Sequence, residues 1–379
     1  MTLERTARLL FAGGGTGGHL YPAIAIADRV RDLLADEGGA DIHFVGTKRG
    51  LEYRLRDTLG YPLHLVNMRG IVRSMSLKNL LLPFVVTGAL IKATGLLKQL
   101  KPDIVVGTGG YVAWPVLNRA AARGIPTVLQ EQNSFPGVVT RRAADKARCI
   151  YLGFAGATTH LPEEARIRVT GNPVRTSIGT GQRKDAIKAF DLDPEKKTIL
   201  ILGGSQGARA VNRAVLRDLN EKALDKKFQI LWQTGKGDYK EVAATAGDKV
   251  SRRALFPFAE NMPTVYAAAD LAIARAGALT LAELMTCNIP ALLIPYPHAA
   301  GDHQRKNAVE LSDHGMAEVI DEARLDEVNL LTEATTLIQS RRYEAMREAL
   351  QAYNKDRKPA VDVIAEDIVR IINERKAGS

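Results

Sequence analysis

Three times along the chain an apolar run of strand length stops at glycine and resumes with helical spacing. Leu9-Leu10-Phe11-Ala12 runs into Gly13-Gly14-Gly15-Thr16-Gly17-Gly18-His19 and then a helix from about Pro22. Thr198 to Leu202 runs into Gly203-Gly204-Ser205-Gln206-Gly207 and a helix with Val211, Val215 and Leu219 on one side. Leu271 to Ala274 runs into Arg275-Ala276-Gly277 and the helical spacing of Leu281 to Met285. Other strand-length runs lie at Ile42–Val45, Leu63–Val66, Asp103–Gly107, Thr127–Gln130, Cys149–Leu152, Ile230–Trp232, Leu255–Phe256 and Ala291–Ile294. Helix-length segments between such strands are the crossovers that parallel pairing requires. The fold class expected is therefore α/β, with two Rossmann-like doubly wound parallel-sheet domains facing a cleft. The first spans 1–174 and the second 175–356, with the polar stretch Thr176 to Lys184 as a linker. A final helix at about 357–379, striped by Val361, Ile364, Ile368 and Ile371, is expected to return to the first domain.

A chain of 379 residues suits two domains, and 46% hydrophobic with 25% charged residues is globular composition. Cys149 and Cys287 are far apart and lack metal-ligand spacing, which fits buried thiols in a reducing cytoplasm. Leu9 to Ala12 is too short for the apolar region of a secretory leader. The net charge of +10 points to anionic partners, and its placement narrows them. No Asp or Glu occurs from Thr58 to Pro102, where basic residues alternate with Leu77, Leu80, Leu81 and Phe84. The uncharged run Asn79 to Ile91 is shorter than the roughly 20 residues of a spanning helix. It is expected to lie on an anionic membrane as a peripheral contact and not to bind nucleic acid. The alternative is a helix buried against the sheet with a solvated basic face.

A glycine turn that opens a helix presents unpaired N–H groups and the positive dipole end to an anion. In the stretch from Arg275 to Glu283 a carboxylate follows one turn later, placed to take ribose hydroxyls, so phosphate and sugar would be held together. Gly13, Gly15 and Gly18 also match the dinucleotide fingerprint, but the second strand ends in Gly46-Thr47 where an NAD enzyme needs an acid. Lys48-Arg49 could take a 2′-phosphate, so an NADP oxidoreductase stays open. A dehydrogenase needs only one such turn, whereas two, one per half, are the layout of a GT-B glycosyltransferase. Asp191-Leu192-Asp193 spells the D-x-D of metal-dependent transferases but sits in a loop before Pro194 and is read as solvated. No metal or cofactor is called for.

The chain then resembles the MurG family along nearly its whole length. The motifs are Gly14-Gly15-Thr16-Gly17-Gly18-His19, Gly109-Gly110-Tyr111, Glu131-Gln132-Asn133, Thr170-Gly171-Asn172-Pro173-Val174-Arg175, Gly203 to Ala208, Gly277-Ala278-Leu279-Thr280 with Glu283, and Asp302-His303-Gln304 with Asn307. The resemblance implies transfer of N-acetylglucosamine (GlcNAc) from UDP-GlcNAc to lipid I, with inversion, at the cytoplasmic face of the membrane. It leaves room for other cell-wall synthesis proteins as partners. It implies a donor site of Thr16, Gly17, Gly18, Asn133, Arg175, Ser205, Ala259, Ala278, Leu279, Thr280, Leu281, Ala282, Glu283 and Gln304. Gly14, Gly15, Gly109, Gly110 and Tyr111 would border the acceptor, with the loop amides facing its diphosphate. Ala259 stands where relatives carry a larger aliphatic residue near the uracil. His19, beside a helix N-terminus that disfavours imidazolium, is the candidate base. The other reading of His19 is a polar residue that orients the loop or binds phosphate. A UDP-sugar transferase with a soluble acceptor and a nucleotide-sugar-binding regulator without turnover remain open as well.

Overall fold

The strand β1 (Ala7–Gly13) is buried on both faces, which is why it reads as a continuous apolar run. Leu9 and Phe11 enter one apolar layer, with the helix Gly17–Leu33 and the C-terminal helix Ala360–Ala377. Leu10 and Ala12 enter the opposite layer, under the helices Leu82–Leu100 and Ala113–Ala121. The computed structural model describes residues 6–68, 82–204 and 207–377. It divides into two units, Met1–Arg175 with Lys358–Ser379, and Thr176–Arg357.

The first unit adds β2 (Ala40–Gly46), β3 (Leu63–Leu65), β4 (Ile104–Gly109), β5 (Thr127–Glu131), β6 (Cys149–Leu152) and β7 (Ile167–Val169). Their order is β3-β2-β1-β4-β5-β6-β7, and every pairing is parallel. The second unit holds β8 (Lys197–Leu202), β9 (Phe228–Gln233), β10 (Leu255–Phe256), β11 (Leu271–Ala274), β12 (Ala291–Leu293) and β13 (Ala317–Val319). Their order is β10-β9-β8-β11-β12-β13, again all parallel. In each sheet the chain reverses its direction of winding beside the first strand, between β1 and β4 and between β8 and β11. Open α/β sheets bind ligands at the carboxyl ends of the strands at that reversal. Both glycine turns leave β1 and β8 there.

The C-terminal helix buries Ile364, Ile368, Ile371 and Ile372 against the first unit. Polar contacts fix its register. Arg29 Nε donates to Asp362 at 2.6 Å, Tyr151 donates to Asp367 at 3.2 Å, and Arg168 and Arg370 pair with Asp367. Burial alone would raise the Asp367 carboxyl, but the two arginines outweigh it and hold it below the usual range.

Two elements depart from the sequence reading. The first helix begins at Gly17 and not near Pro22, because glycines give no propensity signal for a helix start. This puts His19 inside the first turn. The stretch read as a linker ends in a helix, Arg183–Phe190, closed by Asp191 in the left-handed region (φ 54°). Asp193 pairs with Lys196 at 3.4 Å, so the D-x-D residues serve as helix cap and surface pair.

Candidate active-site residues

At the end of β1 the chain folds over a buried carboxylate. Glu52, fully buried on the short helix Leu51–Arg54, accepts the Gly15 amide at 2.7 Å and the Thr47 amide at 2.8 Å. The Thr47 hydroxyl adds a third bond at 3.4 Å. Backbone can come this close only without side chains: a Cβ at Gly14, Gly46 or Gly50 would lie 2.6, 2.2 or 2.1 Å from Glu52 atoms. Gly15 itself holds φ 90°. One detail of the sequence reading is corrected here, since the Gly15 amide is committed to Glu52 and does not point to a diphosphate. Gly17 and Gly18 supply the first N–H groups of the helix, which have no intrahelical partner.

His19 is held at its backbone and at its ring. The Thr108 hydroxyl donates to the His19 carbonyl at 2.8 Å, and the ring Nδ1 lies 3.2 Å from the Gly14 carbonyl oxygen. The Thr16 hydroxyl lies 3.5 Å from the same nitrogen, so Nδ1 sits between a carbonyl and a hydroxyl. A carbonyl only accepts, so the Gly14 contact is a hydrogen bond in the tautomer that carries its proton on Nδ1 and leaves Nε2 as the lone-pair nitrogen. The ring edge lies against Gly109, where a Cβ would meet Cδ2 at 2.7 Å and Nε2 at 3.0 Å. Gly110 in turn packs on the Gly14 carbonyl, and Tyr111 beyond it is 55% exposed, so its ring belongs to the surface and not to the core.

Of Glu131-Gln132-Asn133 only the last faces outward. Glu131 is buried and accepts from the Asn133 amide (3.1 Å), the Gly137 amide (2.9 Å) and the Thr140 hydroxyl (2.6 Å). Gln132 donates to the Thr108 carbonyl at 2.8 Å, and Asn172 donates to the Gln132 carbonyl at 2.8 Å. Glu131, Gln132 and Asn172 are thus scaffold for Asn133 and for the end of β4. Arg175 stacks its guanidinium over Tyr21 at 5.9 Å, and Tyr21 touches the position a Gly17 Cβ would occupy.

In the second unit the helix Ala278–Thr286 starts at Gly277 with no side-chain cap. Its first amides, from Ala278, Leu279 and Thr280, lack intrahelical partners and suit an anion. The helix ladder begins at Leu281, whose amide bonds the Gly277 carbonyl at 3.0 Å and is not available to an anion. Glu283 accepts the Tyr266 hydroxyl at 2.7 Å. Gln233, buried at the end of β9, accepts the Ala259 amide at 2.9 Å and donates to the Gly204 carbonyl at 3.3 Å, tying the glycine turn to Ala259. Gln304 accepts the Tyr296 amide through Oε1 at 2.9 Å, which leaves its NH2 as the donor face. Arg275 donates to the Ile294 carbonyl at 3.1 Å, pairs with Glu322 and lies 5.5 Å over Tyr296. It is a brace between the ends of β11 and β12.

Glu52, Gln233 and Tyr266 were missed by sequence reasoning, and only the glycines around Glu52 carried a signal. Ser205, Leu77, Leu80 and Leu81 lie outside the described residues. Phe84, on the helix Leu82–Leu100, is 76% exposed. Burial raises the Cys149 thiol above its usual range and pushes Cys287 to about 12, so neither is a nucleophile at neutral pH. Among the described residues no three His, Cys, Asp or Glu side chains cluster as a metal site.

The sequence profile of the glycosyltransferase family 28 N-terminal domain matches residues 9–152, and that of the family's C-terminal domain matches residues 198–363. Across 324 residues the chain is 43% identical to the UDP-N-acetylglucosamine--N-acetylmuramyl-(pentapeptide) pyrophosphoryl-undecaprenol N-acetylglucosamine transferase of Chlorobium limicola, covering 84% of this chain and 86% of that one. The chain belongs to the MurG family. The crystal structure of Acinetobacter baumannii MurG superposes with a TM-score of 0.73 at 27% identity, covering 97% of this chain and 99% of that one. CalG4, the calicheamicin glycosyltransferase, shares the fold at 16% identity with a TM-score of 0.67, covering 97% and 98%. The architecture is GT-B, and the family carries glycosyltransferase chemistry in place of the hydride transfer that the first glycine turn also allowed.

Proposed function

We propose that the chain transfers GlcNAc from UDP-GlcNAc to the 4-hydroxyl of the muramoyl sugar of lipid I, with inversion, giving lipid II. The observation that carries this reading is a glycine turn at the reversal point of both sheets, in a chain of this family. The second unit takes the donor. The amides of Ala278, Leu279 and Thr280 meet its diphosphate, Glu283 takes the ribose, and the Gln304 NH2 group takes a sugar hydroxyl. Ser205, Asn133, Arg175 and the loop of Thr16, Gly17 and Gly18 complete this site, and Ala259 lies towards the base. Gly14, Gly109, Gly110 and Tyr111 border the acceptor. His19 Nε2 removes the acceptor proton as the hydroxyl oxygen bonds the anomeric carbon and the diphosphate departs. Helix-start amides offset the charge that grows on it.

The decisive assay is transfer of labelled GlcNAc to lipid I with release of UDP; UDP-GlcNAc that binds but is never transferred marks a regulator instead. Glu283→Ala removes charge-assisted hydrogen bonds that contribute about 1.5–3 kcal/mol, so KM for UDP-GlcNAc should rise roughly 10- to 100-fold with the fold intact. Unchanged donor affinity would remove Glu283 from the site.

No helix among the described residues is long and apolar enough to cross a membrane. The proposed location is the cytoplasmic face, by peripheral contact. Support comes from the helix Leu82–Leu100, which buries Ala89, Ala93, Leu96 and Leu97 and leaves Phe84 and Ile91 76% and 67% exposed beside exposed Lys92. Changing Phe84 and Ile91 together to serine should weaken binding to phosphatidylglycerol vesicles by about tenfold or more without loss of folding. Equal binding by the variant would move the contact elsewhere.

A further inference from the structure

The Gly14–Gly15 peptide unit has both of its polar ends engaged, and the two partners are the groups of most chemical interest in the first unit. Its N–H, on Gly15, donates to Glu52 at 2.7 Å, and its C=O, on Gly14, accepts His19 Nδ1 at 3.2 Å. A trans peptide points these ends in opposite directions, so the carboxylate and the imidazole flank a single amide plane. We infer that Glu52 is a positioning residue for the transfer reaction, acting on His19 through the Gly14–Gly15 peptide. This inference rests on the reading of His19 as the base.

The physical case begins with burial. Glu52 has no exposed surface, and no lysine or arginine among the described residues pairs with it. Lys48, Arg49 and Arg54, the cations nearest in sequence, are exposed. Both carboxylate oxygens accept from the backbone, one from Thr47 and one from Gly15. A carboxylate at the N–H end polarises the amide and increases the negative charge on its oxygen, as chains of hydrogen bonds do in a low-dielectric interior. That oxygen then holds the Nδ1 proton more firmly, fixes the tautomer and makes Nε2 the more basic nitrogen, as a carboxylate hydrogen-bonded directly to an imidazole does. When Nε2 takes the proton from the acceptor hydroxyl, the oxygen's electron pair goes to the anomeric carbon and the sugar–diphosphate bond breaks with its electrons on UDP. The imidazolium left behind is stabilised by the Gly14 carbonyl and, through it, by Glu52. Tyr21, two residues on along the same helix, carries the Arg175 guanidinium over its ring, and Tyr111 follows the Gly109–Gly110 pair whose first glycine lies against the imidazole. Simple packing demands no charge in this place, since a carboxylate buried without a cation costs stability unless its bonds offset that cost.

The test is the titration of His19 by 15N imidazole shifts on the full chain, assigned with His19→Gln, beside the pH profile of kcat. In the unmutated protein His19 should be the Nδ1–H tautomer when neutral. Glu52→Gln should lower its pKa by about one unit, a roughly tenfold loss of basicity, and shift the acid limb of kcat by the same amount while KM for UDP-GlcNAc stays within about twofold. An Nε2–H tautomer, or an unchanged pKa in a folded Glu52→Gln protein, overturns the inference. Should that variant fail to fold, the unmutated protein decides: the amide protons of Gly15 and Thr47 should both shift with the His19 midpoint, and a Thr47 amide blind to it overturns the relay. If transfer to lipid I is absent while these titrations behave as described, it is the functional reading that fails.

Discussion

Replacing His19 by alanine is expected to lower kcat by about 10²- to 10⁴-fold, the range that a positioned general base contributes. KM for UDP-GlcNAc should hold within about twofold, because the proposed role of the side chain is proton removal in the transition state and the proposed ribose and diphosphate contacts are Glu283 and the amides of Ala278 to Thr280. The structure explains why the loss should be specific. The ring is fixed at Nδ1 by the Gly14 carbonyl and along its edge by Gly109, while the Thr108 bond goes to the His19 backbone and survives the substitution. Alanine also favours the first turn of a helix, so the fold should tolerate it. Initial rates across pH, with circular dichroism as the control for folding, check the prediction. A variant with normal turnover places the base elsewhere and returns His19 to the role of orienting the loop.

The largest expected effect on stability lies far from any substrate. Ile368 has no exposed surface and sits in the layer of Leu9, Phe11, Leu20 and Ile26. Ile368→Asp removes a packed aliphatic side chain and adds an unpaired charge, a combination that should cost more than about 4 kcal/mol. Since the helix Ala360–Ala377 completes the first unit, calorimetry should show that unit's transition lowered or lost. The transition of Thr176–Arg357 should be retained. A single cooperative loss of both would mean that the units do not melt independently.

How far the sequence could be read depended on the range over which each residue acts. The glycine turns were legible because their geometry is local: Gly15 at φ 90°, Gly109 at 105° and Gly204 at 74° occupy conformations that other residues rarely adopt. The apolar runs were legible because parallel strands are buried on both faces. Glu52 was not, because its meaning comes from an amide 37 positions away and from three glycines that close around it. Tyr266 and Gln233 escaped for the same reason, each acting across to another element on Glu283 or on Ala259. The resemblance implies a uniformly ligand-facing run from Ala278 to Ala282, yet only the first amides of a helix lack an intrahelical partner, and the Leu281 amide already bonds the Gly277 carbonyl. The strand Ala317–Val319 gave too short a signal to separate from its surroundings.

The first unit is assembled from both ends of the chain, with the whole of Thr176–Arg357 inserted between them. During synthesis its seven strands leave the ribosome long before the helix that covers one side of them. At about 5–20 residues per second the interval is roughly 10–40 s, far longer than helices and hairpins need to form. Throughout that time the Leu9, Phe11 and Ile26 layer is open on the face that Ile364, Ile368 and Ile372 will later cover. An exposed apolar layer of this kind is what holding chaperones recognise, and the nascent protein is expected to draw on them. Its yield in a cell should depend on their supply even though the finished fold does not.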